Sequence, residues 1–242
     1  MGALAWLMAK PIAHRGLHDA DRGIVENTAA AVTAAVEAGY GIEVDLQPSL
    51  DGEAMVHHDH ALGRLAEGRE ALRTLSAADL KARRFLASSD GMLALGELLE
   101  VVRGRVPLLL ELKSRFDGDT TVATRTAAVL AGIDAPVAVM SFDPALIVVI
   151  KTLAPRLARG VVGERRFAGL GPLDRRASAV FETVRADPGF VAWRLQDLGT
   201  WPPRTARLLG RPVLSWTIRS EAERQAALRA GAEQVIFEGF RA

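Results

Sequence analysis

Eight short apolar segments, rich in β-branched residues, recur along the chain and are separated by longer stretches with helical periodicity. They are Pro11–His14, Gly41–Leu46, Val106–Leu112, Val137–Met140, Ala158–Val161, Phe190–Trp193, Pro212–Trp216 and Gln234–Phe237. Such alternation predicts an α/β architecture. Eight strands in 242 residues suit a closed (β/α)8 barrel, and an open doubly wound sheet is the main rival. The dinucleotide-binding form of that sheet is disfavoured, because the loop after the first strand reads HRGLHDADRG and has no GxGxxG turn. Helices are predicted at Thr28–Ala38, Thr120–Ala131, Pro144–Leu153 and Glu221–Ala230, several opened by a polar cap and closed by glycine.

Composition narrows the functional classes. Apolar residues make up 49% of the chain and charged residues 24%, which fits a single domain over residues 1–242 with a large core. The net charge of +1 arises from 30 basic and 29 acidic residues mixed along the sequence, so no broad field favours nucleic acid or a membrane surface. The absence of cysteine excludes disulfides and thiolate metal sites and fits the cytoplasm. The opening MGALAWLMAK is too short to span a bilayer and lacks the marks of a signal peptide, so cytosol is the default and no stable membrane insertion is expected. Monomer and homo-oligomer both stay open.

One local feature interrupts the alternation. Leu46–Leu50 and Glu53–His57 flank Asp51-Gly52, a strong two-residue hairpin signal. With that turn, Leu50 faces Glu53, and counting back brings Asp45 opposite His58 on a shared face, with Glu43 two residues earlier on the same face.

The carboxyl ends of barrel strands form the active site of such folds. His14-Arg15-Gly16 closes the first strand, Glu43 and Asp45 the second, and Glu111 with Lys113 the third. Three carboxylates meeting at one mouth repel one another unless neutralised, and oxygen ligands suit one hard divalent cation, Mg²⁺ or Ca²⁺. Arg15 offers a planar fork for two phosphate oxygens and Lys113 a point charge. His14 and His58 titrate near neutral pH and suit proton exchange with attacking and departing oxygens. The set points to phosphoryl transfer.

Five ordered motifs carry a resemblance: AHRG at Ala13–Gly16, ENT at Glu26–Thr28, GIEVDLQPSLDG at Gly41–Gly52, VHHD at Val56–Asp59 and LELK at Leu110–Lys113. The chain resembles the glycerophosphodiester phosphodiesterases, which have a (β/α)8 TIM-barrel fold and hydrolyse glycerophosphodiesters to glycerol 3-phosphate and an alcohol. The resemblance implies a small-molecule glycerophosphodiester substrate, metal ligation by Glu43, Asp45 and Glu111, and acid/base roles for His14 and His58. It implies phosphate binding by Arg15 and Lys113, and places Glu26 and Asn27 beside the mouth as metal or supporting contacts. SFDP at Ser141–Pro144 and SWT at Ser215–Thr217 look like further strand ends of the family, with Phe142 and Trp216 lining the alcohol pocket. Asp59–Glu100 matches a small inserted subdomain between the second and third barrel strands. The end, GAEQVIFEGF, departs from the family pattern of aspartates near a threonine before a proline.

Plainer readings apply to some of these residues. Glu26 and Asn27 also suit a cap for the helix starting near Thr28, and Phe142 and Trp216 suit core aromatics. His57 and His60 read as solvent-facing, His18 as surface, and the stretches Arg73–Arg84 and Arg165–Arg176 as solvated helix faces. Two rivals remain: a metal-dependent sugar isomerase on the same barrel, which Arg15 and Lys113 argue against, and a non-catalytic phosphodiester-binding protein.

Overall fold

The computed structural model describes residues 4–165 and 181–242. Residues 166–176 of the second arginine-rich stretch therefore lie outside the described residues. The described residues form nine strands: β1 (Ile12–Ala13), β2 (Gly41–Pro48), β3 (Ala54–Val56), β4 (Leu108–Leu112), β5 (Val137–Ser141), β6 (Ala158–Gly163), β7 (Phe190–Arg194), β8 (Val213–Ile218) and β9 (Gln234–Phe237). Every strand but β3 runs parallel to its barrel neighbours, and β1 pairs with both β2 and β9. That double pairing closes the sheet into an eight-stranded barrel and excludes the open doubly wound alternative.

Strand periodicity sorts the apolar residues into two shells. Ile42, Val44, Leu108, Leu110, Val139, Val191 and Val235 point outward into the layer beneath the helices. Ile12, Leu109, Met140, Val162, Phe190, Leu214 and Ile236 point inward and fill the barrel. Because both faces are covered, the strands read as nearly continuous apolar runs rather than as alternating ones. A four-residue helix, Ala5–Met8, sets the fully buried Leu7 beneath the inward shell, with Leu4, Trp6 and Met8 packed around it. The Gln234 side chain donates to the Met8 carbonyl at 2.8 Å and pins this plug to the amino-terminal end of the barrel.

The β2–β3 hairpin differs from expectation by one residue. Leu46 pairs with Val56, and His57 N–H donates to Asp45 O at 3.0 Å, so Asp45 faces His57 rather than His58. The loop holds three residues, Leu50 to Gly52, because Ser49 N–H donates to Glu53 O at 2.9 Å while Ser49 Oγ accepts from Glu53 N–H at 2.8 Å. Leu50 N–H leaves the ladder for Leu75 O at 2.8 Å, and Gly52 takes the positive φ of 82° that such a loop requires.

Between β3 and the helix Leu95–Val102, the chain folds into short pieces, including Leu72–Thr74 and Ala77–Lys81. They enclose a satellite apolar cluster of Val25, Met55, Leu62, Leu72, Leu80, Phe85 and Met92. His57 is 1% exposed, with its ring 6.5 Å from that of Phe85, so it is buried and not solvent-facing. His60 is half-buried, its Nδ1 2.8 Å from Gln47 Oε1. Among the described residues, no helix is long and apolar enough to cross a membrane.

Candidate active site

The turn after β1 is shaped by two residues in the left-handed region, Arg15 (φ 56°) and Gly16 (φ 79°). A Cβ on Gly16 would lie 2.8 Å from the Ala31 carbonyl carbon, so only glycine lets the chain turn here. The turn is locked onto β2 by Arg15 N–H donating to Glu43 Oε2 at 3.0 Å and Gly16 N–H to Glu43 O at 3.1 Å. It delivers the Arg15 side chain to the barrel mouth, where Nη1 meets Glu26 at 2.8 Å and Nε lies 3.4 Å from Asp45.

Glu26 and Asn27 do not cap the following helix. Thr28 does, its hydroxyl accepting from Ala31 N–H ahead of Ala29–Glu37. Asn27 instead adopts φ 59°, donates through Nδ2 to Asp45 Oδ2 at 3.0 Å and accepts from Asp45 N–H at 3.3 Å. Glu26 receives a two-pronged pair from Arg64, at 3.0 and 2.8 Å.

Glu43, Asp45 and Glu111 converge as expected. Period-two geometry turns all of them inward from β2 and β4, Asp45 and Glu111 are register partners, and one oxygen of each lies within 4.8 Å of the others. They are 1%, 1% and 8% exposed. Two carboxylates about 4 Å apart repel by about 4 kcal/mol at an effective dielectric near 20, so three need compensation. Arg15 and Lys113 provide part of it: Lys113 Nζ sits 2.8 Å from Glu111 and 3.4 Å from Asp45. Burial alone would raise Asp45, but Lys113, His58 and Arg15 outweigh it and hold the carboxyl at about 2. Glu43 is pushed well above the usual range by burial and by the charges of Asp45 and Glu111. Burial likewise raises Glu111, against the opposing pull of Lys113. Glu43 Oε1 is buried and has no donor among the described residues. Three converging acidic side chains, one of which carries an orphaned acceptor, fit a hard divalent cation.

The imidazoles flank this cluster. His14 Nε2 lies 3.9 Å from Glu43 Oε2, and its Nδ1 lies 2.6 Å from Glu238 Oε2. Burial lowers the His14 pKa against the opposing hydrogen bond to Glu238. His58 leaves the hairpin beyond the end of β3, and its charge acts on Asp45. The register expected to set Asp45 opposite His58 does not hold, since His57 takes that place. His58 Nδ1 lies 2.8 Å from Asp59 Oδ1, and Arg64 Nε donates to the other Asp59 oxygen at 2.6 Å. A chain of contacts thus runs from Arg15 through Glu26, Arg64 and Asp59 to His58.

Phe142 and Trp216 follow inward positions of β5 and β8 and stack edge to face with centroids 5.4 Å apart. Trp216 Nε1 donates to Ala192 O at 3.1 Å, which fixes the ring above the inward shell. Asp59, Arg64 and Glu238 were not anticipated from the sequence. Glu238 carried a readable signal, since it follows a predicted strand and keeps the inward parity of Ile236. His18, expected at the surface, is half-buried with Nε2 3.8 Å from Glu238.

The model of the glycerophosphoryl diester phosphodiesterase family matches residues 14–239. Among solved structures, an Oleispira antarctica phosphodiesterase in complex with the product sn-glycerol-3-phosphate is similar with TM-score 0.79 and 23% identity, covering 96% of this chain and 94% of that one. A Thermotoga maritima glycerophosphodiester phosphodiesterase is similar with TM-score 0.71 and 22% identity, covering 93% and 92%. One from Parabacteroides distasonis has TM-score 0.76 and 18% identity, covering 94% and 92%. The comparison with curated proteins returned no match. These likenesses carry the barrel fold, and the family match displaces the sugar-isomerase alternative. By its match over nearly the whole length, the chain belongs to the glycerophosphoryl diester phosphodiesterase family and is a phosphoric diester hydrolase.

Proposed function

We propose that this protein hydrolyses glycerophosphodiesters to glycerol 3-phosphate and an alcohol, using one divalent cation, Mg²⁺ or Ca²⁺, and histidine acid/base catalysis. The observation that carries the reading is the meeting of three buried acids, the His14 imidazole and two basic side chains at one barrel mouth, with His58 in electrostatic reach of Asp45. The Oleispira relative, with sn-glycerol-3-phosphate as its product, supports the substrate class.

Glu43, Asp45 and Glu111 would hold the cation, which when bound supplies charge neutralisation for the phosphoryl oxygens. Arg15, freed from Asp45, presents its fork to the phosphate, and Lys113 adds a mobile charge beside it. His14 accepts the proton of the attacking oxygen as that oxygen bonds to phosphorus, either from water directly or from a glycerol hydroxyl, in which case water then opens the resulting cyclic phosphate to glycerol 3-phosphate. His58 gives a proton to the alcohol oxygen as its bond to phosphorus breaks; the reverse assignment uses the same atoms. Phe142 and Trp216 line the alcohol side, and the segment 59–100 shapes substrate access through Asp59 and Arg64.

The test is incubation with glycerophosphocholine, with and without EDTA, following glycerol 3-phosphate release. EDTA is expected to stop release and added divalent ion to restore it; no cleavage under any divalent ion would sink the reading. Glu43→Gln is expected to abolish metal-dependent turnover while the circular dichroism spectrum stays that of the parent. An unchanged rate removes Glu43 from the ligand set.

A further inference from the structure

The last barrel strand brings a carboxylate to His14 that the five motifs do not contain. In the β1–β9 ladder, Ile12 pairs with Ile236 and Ala13 with Phe237, and His14 N–H donates to Phe237 O at 2.8 Å. The next residues, His14 and Glu238, are thus neighbours on the inward side of adjacent strands. Glu238 N–H donates to Ile218 O at 3.0 Å, which fixes its backbone to the end of β8. Its Oε2 lies 2.6 Å from His14 Nδ1, and its Oε1 pairs with Arg219 at 2.6 Å.

We propose that Glu238 is the positioning residue for His14, holding the imidazole with hydrogen on Nδ1 and turning a bare Nε2 toward the acid cluster. This rests on the reading of His14 as the group that moves a proton in diester cleavage. An ionised carboxylate can accept but not donate, so the hydrogen in a 2.6 Å contact with it belongs to Nδ1. The hydrogen bond from His14, the nearby His18 ring and the Arg219 guanidinium hold Glu238 well below the usual carboxylate range, against the opposing effect of partial burial. With Nδ1 engaged, Nε2 is the atom left to accept a proton, and it is the atom 3.9 Å from Glu43. Glu238 also stabilises the imidazolium once the proton has arrived. Asp59, itself held by Arg64, makes the same kind of contact with His58 on the other flank.

The test compares wild type with Glu238→Gln and Glu238→Asp. The amide presents either an oxygen or an NH₂ group to Nδ1 and no longer enforces one tautomer. Its kcat is expected to fall roughly 10- to 100-fold, the scale seen for partners that orient a histidine, with KM changed by less than about twofold. Glu238→Asp, which keeps the charge, is expected to retain more activity than the amide. Nitrogen-15 spectra of the ring above pH 8 give a readout independent of turnover. Wild-type His14 should show a protonated Nδ1 and a bare Nε2, and Glu238→Gln a mixture. A wild-type ring protonated on Nε2, or equal losses in the Gln and Asp variants that follow a fall in thermal stability, overturns the proposal. If Glu238→Gln fails to fold, Arg219→Leu, altering a side chain that is 62% exposed, is expected to lower kcat in the same direction by less; an unchanged kcat there counts against the positioning role of Glu238. A wild type that cleaves no diester yet shows the Nδ1–H ring sinks the diesterase reading while supporting the positioning of the imidazole.

Discussion

At the scale of single residues, the site depends on backbone conformations that most side chains avoid. Arg15 holds φ 56°, a geometry costing about 1–2 kcal/mol for an L-residue. It persists because Glu43 accepts its N–H while Glu26 and Asp45 hold its guanidinium. Gly16 has no such freedom to exchange. Gly16→Ala is expected to lose about 1–2 kcal/mol from φ alone, and more from contact with the Ala31 backbone. Urea unfolding measures the loss, and a variant as stable as the parent would show that the turn relaxes more easily than its packing implies. The motif residues were legible here because each chemical type matches one task. The positive φ of Arg15 was not, since the contacts that hold it come from Glu43, Glu26 and Asp45 rather than from arginine itself.

At the scale of elements, the hairpin and the segment after it decide how His58 reaches the site. Asp-Gly correctly marked the turn, but the pull of Ser49 and Leu75 on its flanks set a three-residue loop and moved the register by one. The sequence could not reveal this, because Leu75 is brought to Leu50 by tertiary folding alone. Beyond β3, Arg64 ties Asp59 and Glu26 together, so Arg64→Ala is expected to lower kcat by roughly tenfold, the cost of loosening a partner that orients a histidine. Its effect on stability has a defined pH window. Partial burial would raise Asp59, but hydrogen bonds from Arg64 and His58 prevail and hold it at about 2, below its ordinary 3.8. A depressed carboxyl stabilises the fold above its unfolded pKa and loses that contribution as pH falls through its folded pKa. The stability difference between parent and Arg64→Ala should therefore be full above about pH 4 and shrink toward pH 2. Urea midpoints across that range test it, and a difference independent of pH would assign the contact no role in holding Asp59.

At the scale of the whole molecule, chemistry and packing occupy opposite ends of one barrel. Leu7, fully buried, closes the amino-terminal end, so Leu7→Ala is expected to cost about 2–5 kcal/mol. Assayed well below the melting temperature, kcat and KM should stay at parental values, since the plug packs on the apolar inward shell and the acids and histidines belong to the other end of the barrel; a selective loss of kcat would show that the two ends are coupled. The sequence by itself determined the eight strands, their alternation with helices and the acids, cations and histidines at the first strand ends, because period and residue chemistry are local properties. Only the tertiary structure decided closure of the sheet, the one-residue hairpin slip, the burial of His57 and the plug made by Ala5–Met8. It alone joined Glu238 to His14 across 224 residues. Such contacts are set by which surfaces the closed barrel brings face to face, and no window along the chain contains both partners.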